Sequence, residues 1–241
     1  MIHFNQVTKV YNGTHLAVDH LSLDVRPGEI FGFLGPNGAG KTTTIKILLG
    51  ITPPTEGQIE VSGIDVLKEP LKAKRQFGYV PDNPDIYIRL RGIEYLNFMA
   101  DIYDVPSELR QTRIQDMAKD FEMTSALGDK IQSYSHGMRQ KIVLMGALIH
   151  EPKAWILDEP MTGLDPKSSF LLKERMRTHA DAGNTVFFST HVLEVAEKIC
   201  DRVGIINHGK LLYVGNVSDL REQLGENTSL EQMFLELTRN E

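Results

Sequence analysis

Gly35-Pro36-Asn37-Gly38-Ala39-Gly40-Lys41-Thr42 fits the spacing G-x-x-x-x-G-K-[ST]. Glycines at these positions let the backbone curl so that successive N–H groups converge on an anion. An apolar run, Ile30 to Leu34, precedes the loop and an amphipathic run, Thr42 to Leu49, follows it. That is the strand–loop–helix setting in which the dipole of the helix adds positive potential at its N-terminus. Lys41 can then reach β- and γ-phosphates, and the Thr42 hydroxyl can ligate Mg²⁺. The loop therefore predicts a site for a nucleoside triphosphate, without saying how the energy is used.

Three further groups have chemistry suited to such a site. Ala154-Trp155-Ile156-Leu157-Asp158-Glu159 is an apolar strand ending in two carboxylates. In a parallel sheet, ligand chemistry gathers at the carboxyl ends of strands. Asp158 would sit near Mg²⁺, directly or through water, and Glu159 would face the water that attacks the γ-phosphate. The bland alternative is an acidic pair at a surface strand end. His191 follows the apolar run Phe187 to Thr190, where a neutral imidazole can donate to the γ-phosphate and accept a second hydrogen bond. A lone histidine is more often an ordinary surface or core residue. Tyr134-Ser135-His136-Gly137-Met138 opens another apolar helix. Ser135 reads as its N-cap and Gly137 lets an anion approach the backbone, or the segment is a capped helix and nothing more.

The elements that position these groups follow from periodicity. Ile2-His3-Phe4 and Leu21 to Val25 alternate at period two, Pro27-Gly28 turns, and 30–34 is a buried strand. A helix at 41–49 ends at Gly50, and Gln58 to Val61 is a short strand. From 84 to 150 the spacing becomes helical, with Ile114, Met117, Ala118 and Phe121 on one face. Strands return at 154–157, 185–189, 203–206 and 210–214, separated by helices at 166–179 and 192–199. This alternation predicts an α/β fold: a P-loop NTPase core with a mostly parallel sheet, an N-terminal antiparallel β part and an inserted α-helical subdomain. The expected division is a core lobe of residues 1–83 and 151–217, a helical lobe of 84–150 and a charged helical tail of 218–241.

Composition excludes several classes. The chain has 241 residues, 41% hydrophobic and 24% charged, which suits one large soluble domain or two unequal lobes. A net charge of −6 argues against nucleic acid as a partner. One cysteine, Cys200, rules out an internal disulfide, fits a reducing compartment and reads as a small core residue. The N-terminus has no basic start or long apolar run, so it does not read as a signal peptide. No stretch approaches a membrane span; Ile142 to Ile149 reads as a buried helix, so any membrane role must come through a partner.

These residues in their order resemble the nucleotide-binding subunit of ABC transporters, over essentially the whole chain. The resembling motifs are the phosphate loop (Walker A) at Gly35 to Thr42 and the signature at Tyr134 to Met138. They continue with Ile156 to Glu159 (Walker B), the loop Gly163-Leu164-Asp165-Pro166, and His191. Tyr11 sits where the family stacks an aromatic on adenine. The resemblance implies ATP contacts at Tyr11, Gly35, Pro36, Asn37, Gly38, Ala39, Gly40, Lys41, Thr42 and Thr43. It also implies contacts at Ser135, Gly137 and Asp165, catalysis by Glu159 and His191, and Mg²⁺ at Thr42, Asp158 and Asp82. It implies ATP and Mg²⁺ as cofactors, and two copies, identical or paralogous, closing head to tail around two ATP. The dimer would drive transmembrane permease subunits from the cytoplasmic face of the membrane.

Departures qualify this. Asp82 stands where the family has glutamine, in Phe77-Gly78-Tyr79-Val80-Pro81-Asp82; it could bind Mg²⁺ only if the loop moves inward, or could contact the water or shape the loop. His136 replaces a signature glycine and Met138 a glutamine. These changes resemble the branch that pairs with ABC-2-type exporter permeases. Ile86, Tyr87, Ile88 and Leu90 fall where the family docks its permease, or else pack inward. The competing functions are a soluble ABC-type ATPase acting on a ribosome or DNA, and a metabolic P-loop kinase. The first usually carries two cassettes or long coiled coils, and the second has no use for Ser135-His136-Gly137.

Overall fold

The computed structural model describes residues 1–84, 87–219, 232 and 234. The chain opens with β1 (Ile2–Tyr11), β2 (His15–Val25) and β3 (Ile30–Leu34), then α1 (Lys41–Leu48), β4 (Glu56–Val61), β5 (Ile64–Asp65), α2 (Pro70–Lys74) and β6 (Phe77–Val80). Three helices follow: α3 (Gly92–Ile102), α4 (Ser107–Asp120) and α5 (His136–Leu148). The chain then alternates through β7 (Ala154–Asp158), α6 (Pro166–Asp181), β8 (Thr185–Thr190) and α7 (Leu193–Ile199), and ends in β9 (Arg202–Asn207) and β10 (Lys210–Gly215).

Two sheets result. One is antiparallel, in the order β2-β1-β4-β5; the other has the order β10-β9-β3-β8-β7-β6 and is parallel except for β10. The expected fold class is borne out. All five residues of β3, all five of β7 and all six of β8 are buried, because both faces of the parallel sheet are covered. Phe187 fills the space between the sheets, 5.8 Å from Phe31 and 5.4 Å from Phe33 between ring centres. On the other face α5 is buried from Ile142 to Leu148, as its apolar run predicts. Ile114, Met117, Ala118 and Phe121 of the α4 region pack into the same core.

One local expectation changes, and a strand beyond those expected from periodicity joins the parallel sheet. The first two strands run much further than Ile2–Phe4 and Leu21–Val25. Their pairing shifts register between Phe4 and Val10, with Gln6 and His20 at φ of 50° and 46°. Bulges erase the period-two pattern while the ladder continues. Strand β6, four residues with Gly78 inside, is too short to show a period, and it forms the edge of the parallel sheet beside β7. The expected tail of 218–241 lies largely outside the described residues.

Two histidines are carried into the apolar interior. His150 stacks on Tyr103 at 3.6 Å between ring centres, and His179 meets the buried Trp155 edge-on at 5.7 Å. Burial pushes both pKa values down to about 4 from 6.5, with Arg113 beside His150 and Arg175 and Lys153 beside His179 acting in the same direction. Both imidazoles stay neutral in the folded protein while the unfolded chain protonates them. Their contribution to stability is therefore complete above pH 6.5 and is lost as pH falls towards 4. Thermal unfolding followed by circular dichroism should show Tm dropping across that window. His150→Gln with His179→Gln should flatten the drop, and an unchanged slope in the double variant would refute this account.

Candidate nucleotide-binding and hydrolytic site

Strand register gathers the reactive residues. Leu34 pairs with Thr190, Asp158 with Ser189, and Val80 with Leu157, so β3, β8, β7 and β6 end at one edge of the sheet. The phosphate loop, His191, the Asp158-Glu159 pair and Asp82 each follow one of those ends. This is the edge where parallel α/β sheets hold ligands.

The loop is packed too tightly for side chains at two of its glycines. A Cβ on Gly35 would lie 2.5 Å from the Ile206 carbonyl oxygen, and one on Gly40 would lie 2.5 Å from that of Ala17. Gly40 also has φ 110°, which glycine adopts without strain, and it is the N-cap of α1. The Ala39 N–H donates to the Pro36 carbonyl at 3.1 Å and its carbonyl accepts from Gly209 N–H at 2.9 Å, fastening the back of the loop.

Lys41 is 6% exposed and folds over this loop. Its Nζ donates to the Gly35 carbonyl at 2.7 Å and the Pro36 carbonyl at 3.2 Å, and lies 3.4 Å from Glu159 Oε1. The other Glu159 oxygen, Oε2, is 3.0 Å from His191 Nδ1. Lys41, Glu159 and His191 therefore form one continuous polar chain. Glu159 holds φ 47°, an uncommon conformation for a residue with a Cβ, and its N–H donates to Ser189 Oγ at 3.1 Å.

Asp158 is nearly inaccessible, at 2% exposure. Thr42 Oγ1 donates to its Oδ2 at 3.0 Å and Ser189 Oγ donates to its Oδ1 at 2.5 Å. Burial pushes the Asp158 carboxyl above its usual range, and the negative charges of Glu159 and Asp82 add to the rise; the two hydroxyl donors work against it. A cavity of about 290 Å³ opens beside Thr42, walled by Pro36 to Gly38, Gly40 to Thr43, Asp82 and Glu159, with His15 and Ala17 contributed by β2. The Thr42 hydroxyl and the Asp82 carboxylate face this space and the Asp158 carboxylate lies behind Thr42, bonded to its hydroxyl; these are hard oxygen donors, a set whose chemistry fits Mg²⁺.

Other expected residues lie apart. Tyr11 faces His15 across the β1–β2 hairpin, with Lys9 Nζ 5.1 Å above its ring, and does not wall the phosphate cavity. Ser135 is the N-cap of α5 and accepts from Met138 N–H at 3.3 Å. Asp165 caps α6, accepting from Lys167 N–H and Ser168 N–H, each at 3.0 Å, and from Ser168 Oγ at 2.5 Å. None of Ser135, Gly137 and Asp165 reaches the cavity of its own chain. Sequence reasoning missed Ser189 and His15. Ser189 reads as one more strand residue until register sets it beside Asp158, and His15 becomes visible only when β2 folds against the loop.

The description "ABC transporter" matches residues 18–162, more than half of the chain. The ABC-type transporter ATP-binding protein EcsA of Bacillus subtilis is 37% identical over 223 residues, spanning 92% of this chain and 90% of its own. The chain belongs to the ABC transporter family. It is an ATP-binding subunit, and its reaction is ATP hydrolysis. The Nod factor export ATP-binding protein I of Burkholderia pseudomallei is 39% identical over 218 residues, covering 89% of this chain and 70% of its own. A solved ATP-binding subunit of an ABC transporter superposes with a TM-score of 0.94 at 32% identity, over 99% of both chains. A cassette solved as a dimer after hydrolysis, bound to ADP and Pi, shares the fold at a TM-score of 0.81 and 24% identity.

The raised Asp158 pKa has a measurable consequence in this ABC protein. A carboxylate whose folded pKa exceeds its unfolded value opposes folding once ionised, and the opposition fades as pH falls through the folded pKa. Asp158→Asn should therefore raise the Tm of the nucleotide-free protein at pH 8, with a gain that shrinks towards pH 4, while ATP turnover is lost. A Tm gain independent of pH would refute the electrostatic origin.

Proposed function

We propose that this ABC subunit is the motor of a membrane exporter, and that it works as a head-to-tail dimer with two ATP molecules at the interface. The observation that carries the proposal is the split between its two anion receptors. The phosphate loop walls one cavity together with Asp82 and Glu159, with Asp158 behind Thr42 and His191 bonded to Glu159, and the α5 N-terminus at Ser135 to Gly137 forms a second receptor that its own cavity does not use. A facing copy would bring the second receptor onto the γ-phosphate held by the first. The identity of that copy, self or paralogue, is open.

Within one site each residue has a distinct task. The loop N–H groups and Lys41 bind the triphosphate, and Lys41 exchanges its present carbonyl partners for phosphate oxygens. Glu159 orients the attacking water and accepts its proton, held in direction by Ser189 at its N–H and His191 at its carboxylate. When ATP binds, His191 would turn its ring N–H from the Glu159 carboxylate to the γ-phosphate, because an imidazole with one N–H cannot donate to both. Thr42, Asp158 and, with an inward shift, Asp82 would hold Mg²⁺, which neutralises charge on the β- and γ-oxygens when bound. Tyr11 would meet the adenine, with Thr43 at the phosphate end and Asp165 at the facing copy.

The permease would dock beside α3. Tyr87 and Ile88 are 55% and 43% exposed, and the Tyr87 ring packs edge-on against Phe98 at 5.2 Å, so these side chains form an apolar surface. Leu90 packs inward on the helical core, and Ile86 lies outside the described residues. No helix among the described residues is long and apolar enough to cross a membrane, which fits attachment at the cytoplasmic face through a permease. The Nod factor export protein among its relatives favours the exporter reading over a soluble ATPase working on ribosomes or DNA.

Glu159→Gln should retain ATP binding, lower turnover by about 10²–10⁴-fold and trap an ATP-bound dimer in size-exclusion chromatography. Near-normal hydrolysis would overturn the role of Glu159. Ser135→Arg should bind nucleotide as a monomer, and ATP-driven dimerisation at the wild-type level would overturn the shared site. Affinity capture from detergent-solubilised native membranes should recover a polytopic permease; recovery of ribosomes or nucleic acid alone would favour the soluble ATPase.

A further inference from the structure

His136, the residue that departs from the signature pattern, is the first residue of α5 and is exposed. Its imidazole occupies the space above Gly163: a Cβ on Gly163 would lie 2.5 Å from His136 Cδ2 and 2.6 Å from Nε2. Gly163 has φ +74°, a conformation that favours glycine, and a larger residue there would have to displace the His136 ring. A Cβ on Gly137 would lie 4.0 Å from the Gly163 carbonyl oxygen, so the two segments lie against each other along their backbones as well.

Gly163 belongs to a stiff segment that starts at the catalytic carboxylate. Thr162 N–H donates to the Glu159 carbonyl at 3.1 Å, and Leu164 N–H donates to the Met161 carbonyl at 3.3 Å. Ser169 Oγ lies 3.4 Å from Met161 Sδ, and Asp165 caps α6 two residues after Gly163. Two successive turns and a helix cap thus join Glu159 to the point where His136 rests. Across the contact, the same α5 N-terminus carries Ser135, whose Oγ holds Met138 N–H at 3.3 Å. The seat of the imidazole on Gly163 and the backbone approach of Gly137 to Gly163 are the two contacts through which movement of one segment can reach the other.

We propose that His136 is a positioning residue that clamps the signature end of α5 to the Gly163 turn, and so couples the nucleotide seated on Ser135 to the setting of Glu159 in the same chain. This rests on the head-to-tail reading, in which those two residues serve different ATP molecules. The coupling runs within one chain, from the receptor for the partner's nucleotide to the carboxylate for its own. Removing the imidazole leaves each half-site chemically intact and disconnects them.

The test uses the full chain as wild type, His136→Gly, Gly163→Ala and the double variant, with ATPase rate followed against ATP concentration and dimerisation followed by light scattering. His136→Gly should bind ATP and dimerise, with its Hill coefficient falling towards unity. Gly163→Ala should lose activity because its methyl group meets the imidazole. Part of that loss, about fivefold or more, should return in the double variant, because the two substitutions act through one contact. A wild-type Hill coefficient in His136→Gly, or equal losses from Gly163→Ala in both backgrounds, would overturn the clamp. Thermal unfolding of each variant separates a damaged fold from a lost coupling. Failure of the wild-type protein to dimerise or to show cooperativity would instead sink the head-to-tail reading, and the clamp with it.

Discussion

Asp158 is a carboxylate held almost without water at the end of a buried strand. An ionised group in such a place is tolerable only when hydrogen bonds replace its hydration. Thr42 and Ser189 supply them, one hydroxyl on each carboxylate oxygen. Hydrogen bonds to a charged group are worth about 1.5–3 kcal/mol each, enough to hold the side chain in one direction without restoring an ordinary pKa. The pair of bonds also ties three segments together: the start of α1, the end of β7 and the end of β8. The remaining geometry of the site hangs from this knot.

Glu159 follows directly. Its left-handed backbone turns the side chain away from the direction of β7, and the Ser189 hydroxyl that donates to Asp158 also receives the Glu159 N–H. One serine therefore sets both carboxylates. Lys41 then lies between the phosphate loop and Glu159, its charge balanced by a carboxylate and two carbonyls. In the proposed cycle an arriving triphosphate would compete for that ammonium and release Glu159 from it. In the nucleotide-free site Lys41, Glu159 and His191 thus hold one another in shape.

The other receptor is built on a different principle. Ser135 caps a helix whose body is core, so packing of Ile142 to Leu148 fixes the helix axis, and contacts at the surface add to that. The result is a rigid N-terminus facing outward. Beside it, His136 rests on Gly163, while Asp165 is occupied in capping α6. Rigid ends on buried helices suit a subunit whose chemistry must respond to a second body, because displacement at one end is carried along the element.

Much of this was legible in the sequence because it depends on local spacing. The phosphate loop, its strand and its helix are contiguous, so residue order determines which N–H groups converge and where Lys41 and Thr42 stand. The cap at Ser135 is likewise local, as is the burial of the α5 apolar run; Asp165 stood in the sequence only as a nucleotide contact implied by the resemblance, and the structure shows it capping α6. The resemblance to ABC subunits rests on five such segments in order. Tertiary structure alone decided which of these segments meet. Ser189 pairs with Asp158 only because β7 and β8 are adjacent and in that register, and strand order carries no signature in the chain. The long bulged strands β1 and β2 hid behind broken alternation, and β6 was too short to have a period. The seat of His136 on Gly163 joins residues far apart in the chain, and nothing in either segment announces it. Spacing fixes what a residue can offer; packing across the sheet and between lobes fixes what it is offered to.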